Sequence, residues 1–157
     1  MSQTSKITVT TANGFLSQIF KGDSKNPRYM GLFTSDSNFA SGTLKEPTGA
    51  SYKRYSIEET DFNVANATAT TKNHILFGLC DDKDGWGEIQ GFGIFDSLTG
   101  SNCMYWGMLE RVEGNLPVVT YNTVPVFKLY KEADGENSEQ GIKVTLDVAD
   151  TAEASSN

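Results

Sequence analysis

The only histidine of the chain, His74, lies six residues before Cys80. A cysteine activated by a histidine is a common nucleophile in covalent catalysis, provided that the two side chains come within hydrogen-bond reach. The apolar segment 73–79 predicts a strand, in which the two residues lie about 20 Å apart because a strand rises ~3.3 Å per residue. We therefore expect a partly buried or edge histidine and a core cysteine, and no catalytic pair.

Carboxylates gather at two places, where they could bind a cation or form a pair for acid–base catalysis. The two clusters are Glu58, Glu59 and Asp61, and Asp81, Asp82 and Asp84. Both fall at predicted turns or strand ends, where solvated acids are the usual case. When the second cluster is aligned on a calcium-binding loop through Gly85, the first ligand is Cys80 and the bidentate acid is Gly91, so the loop pattern fails.

Zinc and phosphate-bearing cofactors are disfavoured on similar grounds. With two cysteines and one histidine, the chain has fewer than the four nitrogen or sulfur ligands of a structural zinc site. The segment Gly91-Phe92-Gly93 departs from the GxGxxG pattern of a phosphate-binding loop and precedes no predicted helix. We predict no catalytic residues, no metal site and no cofactor, and hence that the chain is not an enzyme.

The charge of the chain is unevenly distributed. Its 157 residues carry a formal net charge of −7, and −5 of this falls in residues 131–157, which hold seven acidic residues and two lysines. An acidic chain lacks the basic stripe that binds phosphates, so we expect no nucleic-acid partner. No apolar run approaches the ~20 residues that span a bilayer, so we expect no membrane partner.

The two ends of the chain carry few apolar residues. Met1–Lys6 lacks the apolar core of a secretory signal, so we expect assembly in a cytoplasm, where Cys80 and Cys103 stay free thiols. Residues 149–157 are predicted to be an acidic, disordered tail.

One short helix is predicted near the start, over Ala12–Lys21. Its apolar stripe consists of Phe15, Leu16, Ile19 and Phe20. Thr11 or Asn13 can cap this helix, and Gly22 can end it. A helix of this length is marginal alone, so its stripe must dock on another surface.

Strand patterns separated by turn signals fill the rest of the chain. The predicted strands are Arg28–Thr34, Tyr52–Ile57, Asn73–Leu79, Glu88–Phe95, Asn102–Arg111, Val124–Tyr130 and Gly141–Val148. The last alternates apolar and polar residues with a period of two, as a half-buried strand does. We predict an all-β fold, with an arm at 1–26 that carries the helix and a single β-sandwich or jelly-roll-like domain at 27–148.

Gly91 and Gly93 fall on one face of a predicted strand, which lets a large ring or another backbone lie close to it. The rings nearest in sequence are those of Trp86, Tyr105 and Trp106. Two interpretations stay open here: packing within the chain, or a contact between subunits.

Several segments resemble a family of small phage virion proteins that are commonly labelled tail-fibre proteins. Tyr29–Ser35 (YMGLFTS) and Gly49–Arg54 (GASYKR) match two of its motifs, and Trp86–Gly100 (WGEIQGFGIFDSLTG), running into Tyr105–Leu109, matches the most specific one. Ile142–Asp147 resembles its closing strand. The resemblance implies a virion structural protein without catalytic residues, located on the tail or on the capsid as a decoration protein or head fibre.

The loop after the FGIF strand has its own predicted roles. We expect Asp96 to accept backbone N–H groups across a hairpin loop, and Gly100 to adopt a turn conformation with positive φ. Ser101 stands where the family pattern has a second glycine.

The function that we predict is that of a non-enzymatic virion subunit, which self-assembles and docks on other capsid or tail proteins. The predicted interface residues are Phe15, Leu16, Ile19, Phe20, Trp86, Tyr105 and Trp106. The alternative is a carbohydrate- or receptor-binding module whose partner is a host surface glycan. Exposed rings gathered in a polar groove would favour that alternative, whereas rings at a contact between subunits favour assembly.

Overall fold

The computed structural model describes residues 6–128 and 141–148. The one helix in this part is α1 (Val9–Phe20). The strands are β1 (Arg28–Thr34), β2 (Tyr55–Ile57), β3 (Phe62–Ala65), β4 (Thr68–Thr71), β5 (Ile75–Leu76), β6 (Gly87–Phe95), β7 (Cys103–Met108), β8 (Val118–Val119), β9 (Val126–Phe127) and β10 (Lys143–Thr145). The all-β prediction is confirmed, with a single short helix.

The largest sheet has the strand order β2-β1-β6-β7, and β8 extends it by pairing with the start of β6. All of its pairs are antiparallel. The central strands β1 and β6 place Gly31 opposite Gly93 and Leu32 opposite Phe92. Both strands are nearly continuous apolar runs, which is the pattern of strands that are covered on both faces.

The main core lies on one face of this sheet, where α1, the three-stranded sheet β10-β4-β3 and the two-stranded ribbon β5-β9 pack against it. Its largest fully buried members are Phe20, Phe62, Leu16, Met30, Leu32, Ile75 and Ile94. The helix therefore contributes to the same core as the strands. The predicted division of the chain at residue 26 stays a prediction, and the predicted tail at 149–157 lies outside the described residues.

The helix starts three residues earlier than the periodicity predicts. Thr8 is its N-cap, and the Thr8 side chain accepts a hydrogen bond from the Thr11 backbone N–H at 3.2 Å. Neither Thr11 nor Asn13 is the cap. Asn13 lies inside the helix, where its side-chain oxygen accepts the backbone N–H of Ala67 at 2.8 Å. This bond ties the helix to the turn between β3 and β4.

The hairpin β3–β4 is absent from the strands predicted above. Its turn residues Asn66 and Ala67 have φ of 52° and 59°, the left-handed conformation of a tight hairpin turn. The usual sequence signal for such a turn is Asn-Gly, and alanine in the second position conceals it. The short strand β8 was likewise not predicted, whereas β1 agrees with its predicted bounds residue for residue.

A second, smaller cluster covers the other face of the large sheet and consists of Phe33, Phe39 and Phe95. A Cβ added to Gly93 would lie 2.6 Å from the Phe33 ring, and one added to Gly91 would lie 2.8 Å from the Phe39 ring. The rings that need these glycines therefore belong to the same chain, and they are not the three suggested by sequence proximity. Packing within the chain is thus the correct alternative for this glycine face.

Candidate assembly surface

A partly buried ion pair fastens the segment after β1 to the second face of the large sheet. Arg54 donates to both carboxylate oxygens of Glu46, from Nε at 3.0 Å and from an Nη at 2.7 Å. Its other Nη donates to the carbonyl of Ser97 at 2.8 Å. The Tyr52 hydroxyl donates to Glu46 at 2.6 Å and accepts the N–H of Leu32 at 2.9 Å. Bidentate pairing of this kind fixes geometry as well as charge.

The electrostatics of this cluster follow from its burial. The Arg54 side chain is 6 % exposed. Burial acts against its charge, but its hydrogen bonds to Glu46 prevail and raise the pKa of Arg54 above the usual value. Burial, reinforced by the negative charge of Glu46, raises the pKa of Tyr52 far above its usual range. The tyrosine therefore remains a neutral hydrogen-bond donor and the ion pair remains charged.

A second cluster joins the same segment to the loop before β6. One carboxylate oxygen of Asp82 accepts from the Ser51 hydroxyl and from the Trp86 indole N–H at 2.9 Å, and the other accepts from the Ala50 N–H at 3.0 Å. The hydrogen bonds from Ser51 and then Trp86 lower the pKa of Asp82. An added Cβ at Gly49 would collide with this carboxylate, so only glycine lets the two loops approach.

These two clusters give physical reasons for the motifs noted in the sequence. Three residues of GASYKR take part in them: its glycine, tyrosine and arginine. The tryptophan of WGEIQ and the phenylalanine before Asp96 also belong to them. Glu46 and Asp82, which accept most of the hydrogen bonds, were not singled out by the sequence for this role. The sequence signal for such an acidic residue was the arginine of the GASYKR motif. An arginine that is expected near a covered sheet requires an acidic partner.

The loop after β6 is held differently from the prediction. Ser97, and not Asp96, accepts the backbone N–H of Gly100, at 2.8 Å. Asp96 is exposed and accepts from the side-chain amide of Asn102 at 2.7 Å. Gly100 is not among the glycines with positive φ. An added Cβ there would collide with the Ser97 hydroxyl, so the need for glycine is steric.

The seven predicted interface residues divide into three groups. Leu16, Phe20 and Trp86 are buried within the chain, so their assignment to an interface is corrected. The reason is that the short helix uses its stripe to complete the core: the Phe20 ring lies 4.9 Å from that of Phe62 and 5.3 Å from that of Tyr105.

Ile19 and Tyr105 form the second group, since they are partly buried and pack on the same core. Phe15 and Trp106 form the third, because half of the Phe15 side chain and 41 % of Trp106 are exposed. Of the predicted set, these two remain as candidates for contact with another molecule.

Trp106 belongs to an apolar surface on the outer strand of the large sheet. Its indole lies 4.6 Å from the Phe39 ring, and it stands opposite Gly93, while the exposed Met108 stands opposite Gly91. The Leu109 N–H donates to the Gln90 carbonyl at 2.8 Å. The alternation of an antiparallel ladder then turns the backbone groups of Trp106 and Met108 away from β6. Among the described residues, β7 pairs with β6 alone.

The side chains that were considered for catalysis or metal binding are either buried in the fold, hydrogen-bonded within it or exposed. Cys80 is buried and His74 exposed, and both cysteines are free thiols. The buried Asp61 accepts from the Tyr55 hydroxyl and from the Glu58 N–H, each at 2.8 Å. Within residues 6–128 and 141–148, no three His, Cys, Asp or Glu side chains are placed to hold a metal ion. None of the helical residues in the same ranges form a helix with the length and apolar character needed to cross a membrane.

Comparison with known families completes the assignment. The family model of the podophage GP4 fiber I protein gp80 matches residues 6–117, which begin just before α1, end just before β8 and include both clusters and the Trp106 surface. No curated protein and no solved structure matches the chain. Because the family model covers well over half of the sequence, the chain belongs to the gp80 fibre family and is a structural protein of a bacteriophage virion.

Proposed function

We propose that this chain is a non-enzymatic fibre subunit, assembled in the host cytoplasm, that acts by self-association and by docking on another tail or capsid protein of the particle. The observation that carries the docking role is the outer edge of β7. It combines the exposed Trp106 and Met108 with backbone groups that point away from the sheet. An uncovered edge of this kind is a template for pairing with another chain.

The composition of β7 supports this role. Its six residues, Cys103–Met108, include no charge and no proline, which are the usual means of protecting an edge strand. Trp106 rests on Phe39, so the ring is held in place before a partner arrives. A preorganised aromatic anchor loses little entropy on binding and is typical of the residues that dominate interface energy.

The surface of the protein has fewer of the features that bind a glycan than of those that bind another protein. An open cleft of about 520 Å³ lies beside α1. It is lined by Ser17, Gln18, Lys21, Asp23, Asn26, Arg28 and Glu59. No aromatic ring lines this cleft, whereas small-molecule sites usually combine apolar and aromatic walls with a few polar groups. The exposed ring of Trp106 lies elsewhere, on the edge strand β7, which favours a protein partner.

Incorporation into particles tests the proposal. Phage carrying Trp106→Ala with Met108→Ala should hold much less of this protein per virion than wild type, measured by quantitative mass spectrometry of purified particles. Val112→Ala is the matched control, because Val112 is an exposed apolar residue in a turn and should leave incorporation unchanged. Equal incorporation of the double variant would contradict docking through the β7 edge.

A further inference from the structure

The cleft beside α1, with its volume of about 520 Å³, lies where three separate segments of the chain meet. The last turn of the helix and its C-cap, Lys21, form one wall. The loop before β1 and Glu59, in the turn after β2, form the rest of the rim. Of the residues that line the cleft, Arg28 at the start of β1 is the buried one, and it is 7 % exposed. Arg28 therefore forms the inner end of the cleft.

The positive charge of Arg28 has no negative partner in the part of the chain that the structure describes. Its Nε donates to the Gln18 carbonyl at 2.8 Å, and one Nη donates to the Pro27 carbonyl at 3.0 Å. The other Nη makes no hydrogen bond within residues 6–128 and 141–148, and the guanidinium forms no ion pair there. Gln18 lies in the last turn of α1, whose carbonyls carry only a partial negative charge. A buried cation is stabilised by an opposite charge, so this end of the cleft is suited to an anion.

The loop before β1 gives this site a fixed shape. One carboxylate oxygen of Asp23 accepts the backbone N–H groups of Lys25 and Asn26, at 2.8 and 2.7 Å. A Cβ added to Gly22 would lie 2.8 Å from the backbone nitrogen of Arg28, so only glycine lets the chain pass this close to the start of β1. A site that is formed before its ligand arrives loses less free energy to ordering when the ligand binds.

The other charges of the cleft select an anion that carries a single negative charge. Lys21 supplies a second cation, whose ammonium group forms no ion pair with the described residues. Asp23 and Glu59 supply two carboxylates at the rim. A dianion such as phosphate therefore meets repulsion from both acids. A carboxylate, with one negative charge, matches the planar fork of the Arg28 guanidinium.

The walls of the cleft indicate that the body of the ligand is polar as well. All seven lining residues have polar or charged side chains. Ser17, Gln18 and Asn26 offer a hydroxyl and two amides, which exchange hydrogen bonds with hydroxyl groups. The volume of about 520 Å³ is in the range of small-molecule sites and is large enough for a sugar ring. A neutral glycan, which is usually held by stacking on aromatic rings, lacks the group that Arg28 binds.

We propose that the cleft beside α1 binds a small hydroxylated monocarboxylate, such as a sugar acid, whose carboxylate pairs with Arg28 and Lys21. The hydroxyl groups of the ligand hydrogen-bond to the Asn26 amide and to the carboxylate of Glu59. This binding activity goes beyond the proposed docking function and does not depend on it, because the cleft includes no residue of β7.

Titration of the ¹⁵N-labelled full chain with glucuronate, followed by nuclear magnetic resonance, tests the proposal. The signals of the side-chain amides of Gln18 and Asn26 should shift and reach saturation. Glucose at the same concentrations should leave these signals in place, because it lacks the carboxylate. Inorganic phosphate should bind more weakly than glucuronate, because the two acids at the rim repel its second charge.

Substitutions in the cleft identify the groups that hold the carboxylate. Arg28→Gln should abolish the saturable shifts. Lys21→Gln should raise the dissociation constant of glucuronate about threefold or more. It leaves the bonds from Arg28 to the helix in place, so it carries the test if Arg28→Gln fails to fold. Lys25→Gln is the matched control, because Lys25 is exposed in the same loop and does not line the cleft.

Several results would overturn the proposal. The first is the absence of saturable shifts at the two amides when glucuronate is added. An equal response to glucose, or phosphate binding as tight as that of glucuronate, would show that the ligand class is wrong. A Lys25 variant that loses as much affinity as the Lys21 variant would show that the cleft is not the site. None of these results affects the particle-incorporation test, so failure of this site is distinguishable from failure of the proposed function.

Discussion

The guanidinium carbon of Arg54 lies 3.5 Å from the centroid of the Phe95 ring, directly over its face. The same guanidinium is paired with Glu46, so one side chain joins the segment after β1 to the end of β6. A cation over an aromatic face is attracted by the ring quadrupole, more strongly when water is excluded. Phe95 also packs against Phe33, which in turn packs against Phe39, the ring that contacts Trp106.

Removal of Arg54 should therefore be among the most damaging single changes. Arg54→Ala leaves the partly buried carboxylate of Glu46 without its charged partner and should lower the free energy of unfolding by about 2–3 kcal/mol. Arg54→Lys should cost less but stay clearly destabilising, because an ammonium cannot pair in a bidentate way. Urea denaturation followed by tryptophan fluorescence measures both. Arg111→Ala, at an exposed position, is the control, and equal stability of the Arg54 and Arg111 variants would contradict the assigned role.

Two glycines with opposite surroundings provide a matched pair of alanine substitutions. Gly93→Ala should destabilise the fold by about 1–3 kcal/mol, because its Cβ would press on the buried ring of Phe33. Gly14 lies inside α1 with nothing within 4 Å of an added Cβ. Gly14→Ala should stabilise by about 0.5–1 kcal/mol through helix propensity. Thermal unfolding of both variants decides this, and a stabilised Gly93→Ala would show that the glycine face is not tightly packed.

Asp82 should make stability depend on pH in the acid range. Because its pKa is lower in the folded state than the ordinary 3.8, its contribution to stability is complete above that value. The contribution is lost as the pH falls through the lowered folded pKa. Asp82→Asn should thus be less stable than wild type at pH 7, and the difference should shrink below about pH 4. Asp84→Asn is the control, and a difference that grows on acidification would contradict the sign.

The loop between β6 and β7 offers a test of which side chain holds it. Ser97→Ala removes the acceptor of the Gly100 N–H and should cost about 1 kcal/mol. Asp96→Ala removes an exposed bond to Asn102 and should cost about 0.5 kcal/mol or less. Differential scanning calorimetry of the two variants gives their order. A larger loss for the Asp96 variant would restore the prediction made from sequence.

The sequence predicts those parts of the fold whose pattern is local. The bounds of β1 are correct because Arg28–Thr34 is a compact apolar run, and the alternation in β10 is correct because one face is in the core. The hairpin β3–β4 was not predicted because most of its residues, apart from Phe62 and Val64, are small or polar and its turn lacks glycine. The sheet that it forms with β10 depends on contacts distant in sequence.

The candidate surface was predictable only in part. An apolar stripe on a short helix looks the same in sequence whether it meets another subunit or its own core, and here Leu16 and Phe20 meet the core. Trp106 was identified because a large ring near a glycine-rich strand is unusual. The pairing of Glu46 with Arg54 depends on how a long loop folds back, which no spacing rule specifies.

Cryo-electron microscopy of purified wild-type virions is the measurement that tests the central claim most directly. The account predicts a fibre density into which the fold of residues 6–128 fits, with Trp106 and the β7 edge covered by another protein of the particle. The same particles should lose that density when the gene for this chain is deleted. Virions that contain none of this protein, or in which the β7 edge faces solvent, would contradict it.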